Sequence, residues 1–174
     1  SMTPSTTADI WTYTWSVSSG GLYQTAIVTY TISGFDQAGN AYAGTDSLTF
    51  TIDNSNPTLV SFTDSDEDNI VNDYNNVTLT AVFSEAVNTP ALSISGLVTN
   101  TAMTVSASTN STTWTYLWDV PAGNDGVYYA TVSTTDLIGN AYSGTESITF
   151  TIDNTAPEIE SVTVNDANDQ IILT

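Results

Sequence analysis

The chain contains no lysine, no arginine, no histidine and no cysteine. Each absence removes a class of function. Without Lys or Arg nothing neutralises backbone phosphates or releases their counterions, which excludes ordinary nucleic-acid binding. The same lack argues against docking on anionic lipid headgroups. Without His or Cys there is no Ser-His-Asp or Cys-His catalysis and no ordinary zinc site. Without Lys there is no Schiff base and no isopeptide cross-link from a lysine amine. Disulfides are excluded, so cysteine usage is silent on redox compartment. No apolar run reaches the roughly 18 residues of a membrane-spanning helix, and membrane insertion is not expected. No secretory leader is visible at Ser1-Met2-Thr3-Pro4, which reads as the opening of a piece of something longer.

What remains is acidic and aromatic. The 174 residues include 19 Asp and Glu, four Trp, nine Tyr and five Phe, and the formal net charge is -19. Charged residues are only 11% of the chain, about half the usual share. A hydrophobic fraction of 40% is enough to build a core, so wholesale disorder is not expected. With no side-chain cation, no carboxylate can join a side-chain ion pair. Each must face water, accept hydrogen bonds or bind a metal.

The sequence repeats itself. Residues 36–57 read DQAGNAYAGTDSLTFTIDNSNP and residues 136–157 read DLIGNAYSGTESITFTIDNTAP, at an offset of 100. Upstream, WTYTW at Trp11–Trp15 matches WTYLW at Trp114–Trp118 at an offset of 103. A period near 100 exceeds that of the common solenoids and has the size of a whole small domain. The chain therefore parses into residues 1–57, the C-terminal half of one repeat; residues 58–157, a complete repeat; and residues 158–174, the start of the next.

Within the complete repeat the apolar pattern has a period of two. Val77, Leu79, Ala81 and Phe83 alternate with polar or outward positions, and Ile148, Phe150 and Ile152 alternate with Thr149 and Thr151. Trp114, Tyr116 and Trp118 share one strand face and are expected in the core rather than on a sugar-stacking platform. Such runs, separated by turn residues, predict about seven antiparallel strands in a β-sandwich. The predicted core includes Leu79, Phe83, Ile94, Trp118, Val132, Phe150 and Ile152.

The run Asp136-x-x-Gly139-Asn140, a strand, then Asp153-Asn154-Thr155-Ala156-Pro157 resembles the end of a bacterial Ig-like domain. Such domains occur in tandem arrays in giant cell-surface adhesins. The resemblance implies tandem immunoglobulin-like antiparallel sandwiches, an extracellular spacer role, and calcium at domain junctions.

Two groups of acids are candidate calcium ligands. Asp64-x-Asp66-x-Asp68 has the alternate-residue oxygen spacing of a calcium loop, with Asp73 close behind; the plain alternative is a solvated acidic loop. It is not an EF-hand, because Asn69 replaces the turn glycine and no helix flanks it. Asp125, in the turn 121–126, is expected at the same pole, where a simple turn is the favoured reading and an added ligand the alternative. The second group follows from sandwich topology. Asp53 and Asn54 end one half-repeat and should meet Asp136 and Asn140 of the next across a short linker, with Asp153 and Asn154 in the equivalent place one repeat on. The plain alternative for Asp136-x-x-Gly139-Asn140 is a capped turn. On the calcium reading Asp136 lies on a pole loop away from the core, so its loss would loosen a joint without unfolding the domain.

The expected function is structural, not enzymatic: a spacer segment whose partners are adjacent repeats of the same chain and whose joints calcium stiffens. A carbohydrate-binding sandwich and an S-layer or filament subunit are the alternatives.

Overall fold

The computed structural model describes residues 2–4, 10–17, 25–107, 109–165 and 170–173. The chain divides into two compact units, Ser1–Asn56 and Pro57–Thr174. All regular structure among the described residues is β.

In the first unit β1 (Thr3–Pro4) pairs antiparallel with β2 (Trp11–Thr12), and β3 (Thr25–Thr31) pairs antiparallel with β4 (Ser47–Asp53). The β3–β4 register places Val28 opposite Phe50 and Tyr30 opposite Leu48. Successive side chains on a strand point to opposite faces. Ala26, Val28, Tyr30, Leu48, Phe50 and Ile52 therefore share one face. The Tyr30 ring packs against Trp15 and Phe50, with centroids 5.4 and 6.0 Å away.

The second unit carries β5 (Leu59–Thr63), β6 (Ile70–Val71), β7 (Asn76–Phe83), β8 (Ala91–Ile94), β9 (Val98–Ala102), β10 (Thr104–Val105), β11 (Thr113–Asp119), β12 (Gly126–Ser133) and β13 (Ile148–Ile152), followed by the hairpin β14 (Val162–Asn165) and β15 (Gln170–Leu173). One sheet has the order β10-β11-β7-β5 and the other β6-β13-β12-β8-β9. Their inner faces share one core, in which Leu79, Ala81, Phe83 and Trp118 from the first sheet meet Leu92, Ile94, Ala130, Phe150 and Ile152 from the second. Trp118 and Phe150 touch edge to face at 5.2 Å, a favoured aromatic geometry.

All seven residues predicted for the core are buried. Trp114 is also buried, while Tyr116 packs against the core from its margin. These rings therefore form no open stacking platform in the second unit. Thr and Ser fill the alternate, wetter positions, where β-branched polar side chains suit a strand face.

The sheets are not wholly antiparallel, which corrects the sequence expectation. β6 pairs parallel with β13, Ile70 opposite Thr151 and Val71 opposite Ile152. The physical reason is a change of sheet. The opening strand lies beside β7 as β5, crosses at residues 64–69, and runs on along the edge of the other sheet as β6. A second crossing occurs at Met103, between β9 in one sheet and β10 in the other. Counting each crossing strand once, the nine segments β5–β13 trace the expected seven paths. Asn69 takes the left-handed conformation at the first crossing (φ 59°), where Asn is among the residues that tolerate it.

Phe150 is fully buried, whereas its counterpart Phe50 is 42% exposed. Phe150→Ala should therefore destabilise the second unit by about 3–5 kcal/mol, as deletion of a buried aromatic ring does. Phe50→Ala should leave that unit's transition unchanged. Urea denaturation followed by the Trp114 and Trp118 fluorescence of single-site variants would check both.

Candidate metal centre at the pole of the sandwich

The second unit begins at Pro57 and Thr58, and its opening residue is fastened to the end of β7. The Ser84 amide donates to the Thr58 carbonyl at 2.9 Å, and the Thr58 amide donates to Ser84 Oγ at 3.0 Å. The loop after β7 is sewn to the segment after β12. Asn88 donates its amide to the Thr135 carbonyl at 2.9 Å and Nδ2 to the Asp136 carbonyl at 2.7 Å. Thr134 Oγ1 donates to the Asn88 carbonyl at 2.7 Å. Val87 and Asp136 form a bridge. These bonds hold Glu85 and Asp136 at one pole, where their carboxylates offer oxygens within 4.8 Å of each other.

Asp136 is 1% exposed. Its Oδ1 accepts the amides of Ile138, Gly139 and Asn140 at 2.9, 2.6 and 2.8 Å, and Oδ2 accepts Asn140 Nδ2 at 2.7 Å. The loop closes with the Asp136 amide donating to the Asn140 carbonyl at 2.9 Å. Gly139 sits at φ 109°, where an added Cβ would meet nothing within 4 Å. The demand for glycine there is one of backbone conformation, not space. Burial by itself pushes the Asp136 carboxyl upward. The Asn140 side chain and the three amides outweigh it, and the pKa falls below its ordinary value of 3.8.

The two alternatives for this motif thus receive different answers. The capped turn is present in full. The loop lies at the pole, outside the hydrophobic core, but its carboxylate is enclosed because it replaces the missing partners of three amides. The same turn recurs 100 residues earlier. Asp36 Oδ1 accepts the amides of Ala38 and Asn40, and Oδ2 accepts Asn40 Nδ2 at 2.7 Å. The Asn40 contacts lead in lowering the Asp36 pKa. In both copies the following tyrosine, Tyr42 or Tyr142, donates its hydroxyl to an acid four residues on, Asp46 or Glu146. Burial and the Glu146 carboxylate push Tyr142 up to about 12.

The acidic loop behaves differently. Asp64 Oδ1 accepts the Asp66 amide at 3.0 Å, Asp66 Oδ1 accepts the amides of Asp68 and Asn69 at 3.2 and 2.7 Å, and Asp68 Oδ1 accepts the Ile70 amide at 3.0 Å. Each carboxylate turns back on its own main chain. Among the described residues no three acids of this loop bring carboxylate oxygens within 4.8 Å of one another.

Asp125 belongs to a separate group at the end of β13. It accepts the Asn154 amide at 2.7 Å and the Thr155 hydroxyl at 2.5 Å, and these two contacts lower its pKa. Asn154 Oδ1 also accepts the Asp73 amide at 2.8 Å, and Asp153 Oδ1 accepts the Thr155 amide at 3.0 Å. The structure therefore joins Asp73, Asp125 and Asn154 through hydrogen bonds. In the first unit Asp53 ends β4 and accepts the Ser55 amide at 3.0 Å, matching Asp153 and Thr155. Asn54 follows it, half-buried.

Glu85 was missed by the sequence reading. It is an isolated acid with no spacing signal. The available clue was its place two residues past the end of a strand that finishes at the same pole as the 136–140 turn.

Comparison with known proteins adds no relative: no family model, no curated protein and no solved structure matches the chain. No helix among the described residues is long and apolar enough to cross a membrane.

Asp136→Ala strands three inward-facing amides and one side-chain amide. Hydrogen bonds to charged groups contribute about 1.5–3 kcal/mol each and are not additive, so a loss of about 2–4 kcal/mol from the second unit is expected. The pH dependence has a definite sign. The folded pKa lies below the unfolded one, so the stabilisation is fully present above pH 3.8 and fades as pH falls through the lower, folded value. Acid-titrated urea melts should show a shallower acid-side slope for Asp136→Asn than for the parent chain.

Proposed function

We propose that the chain is a spacer segment of a repetitive, calcium-stiffened bacterial surface adhesin, built from tandem immunoglobulin-like sandwiches. One observation carries this reading: a hairpin and its turn recur at an offset of 100 in the same register. Val28 lies opposite Phe50 as Tyr128 lies opposite Phe150, and Tyr30 opposite Leu48 as Ala130 lies opposite Ile148. A chain that rebuilds the same scaffold every hundred residues, with no His, Cys, Lys or Arg for chemistry, is suited to setting length. Its uniform negative charge keeps neighbouring chains apart.

Calcium enters through the pole. Carboxylates as close as those of Glu85 and Asp136 repel each other unless a proton or cation intervenes, and the chain supplies no side-chain cation. Hard oxygen donors without nitrogen or sulfur ligands favour hard cations such as calcium or magnesium over zinc and copper. By the sequence repeat alone, Asp53 and Asn54 are proposed as further oxygen ligands. In this reading the role is extracellular, where millimolar calcium is present, and the partners are adjacent repeats.

Extracellular calcium modules bind at about 10⁻⁴–10⁻³ M. Tenfold excess over Kd then adds about 1.4 kcal/mol per site, which for a domain of this size raises Tm by about 5 °C or more. Scanning calorimetry in millimolar calcium and in chelator should show that shift, and Glu85→Gln should remove most of it without lowering Tm in chelator. An identical Tm in calcium and chelator would overturn the metal part of the proposal.

A further inference from the structure

The sheet β6-β13-β12-β8-β9 of the second unit carries no charged residue on any of its strands. The acids of the unit stand instead in loops and connecting segments, apart from Asp119 at the end of β11 in the other sheet. A chain of net charge -19 thus keeps one broad side of its sandwich neutral. That side also exposes apolar and aromatic surface: Ile70, Val127 and Tyr129 are 60, 55 and 52% exposed.

The register gathers these residues. Thr151 lies between Ile70 on one side and Val127 on the other, and Thr149 lies opposite Tyr129. Thr131 follows two residues along β12, opposite Ser93. All of them point away from the core, because the alternate residues Ala130, Val132, Phe150 and Ile152 are buried. The Tyr129 main chain is fixed on both sides. It pairs with Thr149, its amide donates to Ser95 Oγ at 3.0 Å, and its carbonyl accepts the Ser95 amide at 3.0 Å. Its ring stacks on no other ring among the described residues. The hydroxyls of Tyr129, Thr131, Thr149 and Thr151 make no hydrogen bond to the described residues.

We infer that this face binds a neutral glycan, which stacks the C–H side of a pyranose ring on Tyr129 and meets the threonine hydroxyls with its own. Charge selects the class of ligand. An anionic partner is repelled by the chain as a whole, and a cationic one finds its carboxylates in the loops and none on this face. Size selects between a saccharide and a protein. From β6 to β8 and from Val127 to Ser133 the face measures about 15 by 20 Å, by strand spacing and rise. That is about 300 Å², well under the roughly 800 Å² per partner of a stable protein interface. An oligosaccharide fits this area and matches its chemistry, with C–H bonds for the ring and hydroxyls for Thr131, Thr149 and Thr151. Tyrosine suits the contact, being large, amphipathic and cheap to order. This activity goes beyond spacing, and calcium plays no part in it.

The test titrates the full nitrogen-15-labelled chain, in chelator, with cellohexaose, a neutral β-linked hexasaccharide, and with hexagalacturonate, an anionic one of equal length. The expected result is saturable amide shifts at residues 127–131 and 149–151 with cellohexaose alone, and an affinity that salt changes by less than about twofold, since no charge is screened. Tyr129→Thr copies Thr29, which faces Thr49 in β3–β4 as Tyr129 faces Thr149, so the strand tolerates it. It should weaken binding about tenfold or more, while Tyr129→Phe, which keeps the ring, stays within about threefold. Thr149→Val removes one hydroxyl at nearly constant shape and should weaken binding about threefold or more with the ring in place. Leu117→Thr, on the outer face of the other sheet, should change nothing. Absence of saturable shifts with cellohexaose would overturn the inference, as would undiminished binding by Tyr129→Thr or equal binding of hexagalacturonate. So would self-association of the chain through Tyr129 without sugar, which would make a second copy the occupant.

Discussion

Nineteen carboxylates must be accommodated without one side-chain cation, and the polar architecture of the chain answers to that constraint. The common solution is to spend main-chain amides. Asp36, Asp64, Asp66, Asp68 and Asp136 each accept amides within four residues of themselves. These bonds shape the turns and cap the strands. Hydrogen bonds to the charged form favour it, which is why Asp136 can be buried and still titrate below the usual range. The turn is a fixed part of the sandwich for the same reason, and not a loose appendage. Where two carboxylates are brought close, as those of Glu85 and Asp136 are, the same constraint leads to the proposed metal.

The core and the polar poles divide the work. The β12–β13 hairpin carries Phe150 and Ile152 into the core on one face and leaves Tyr129 and Val127 half in water on the other. Its ends carry the acids. In the first unit the same register and the same turn recur on β3–β4. Hairpin geometry is thus encoded locally, by the turn chemistry and cross-strand pairs, while burial is supplied by distant strands.

That division explains what the sequence made legible. Period-two alternation sees local geometry, so the strands, the core members and the equivalence of the two hairpins were all readable from residues alone. The sheet changes at 64–69 and at Met103 were not, because a strand that crosses between sheets keeps the same alternation on both sides. The parallel pairing of β6 follows from that crossing and was missed with it. The acids were legible as a group and less so as a site. Spacing suggested convergence for Asp64, Asp66 and Asp68, whose carboxylates instead turn to their own amides. Spacing gave no hint of Glu85, which reaches Asp136 through sheet topology. For Asp136 the residue types allowed both a turn and a ligand, and only the burial of its carboxylate showed how fully the turn engages it.

The central claim is that a cation completes this pole. Calcium titration followed by amide resonances in nitrogen-15-labelled protein tests it most directly. The account predicts saturable shifts at residues 84–88 and 136–140, near the Glu85 and Asp136 carboxylates, with a Kd of about 10⁻⁴–10⁻³ M. Shifts confined to residues 64–69, or no saturable shift at all, would contradict it.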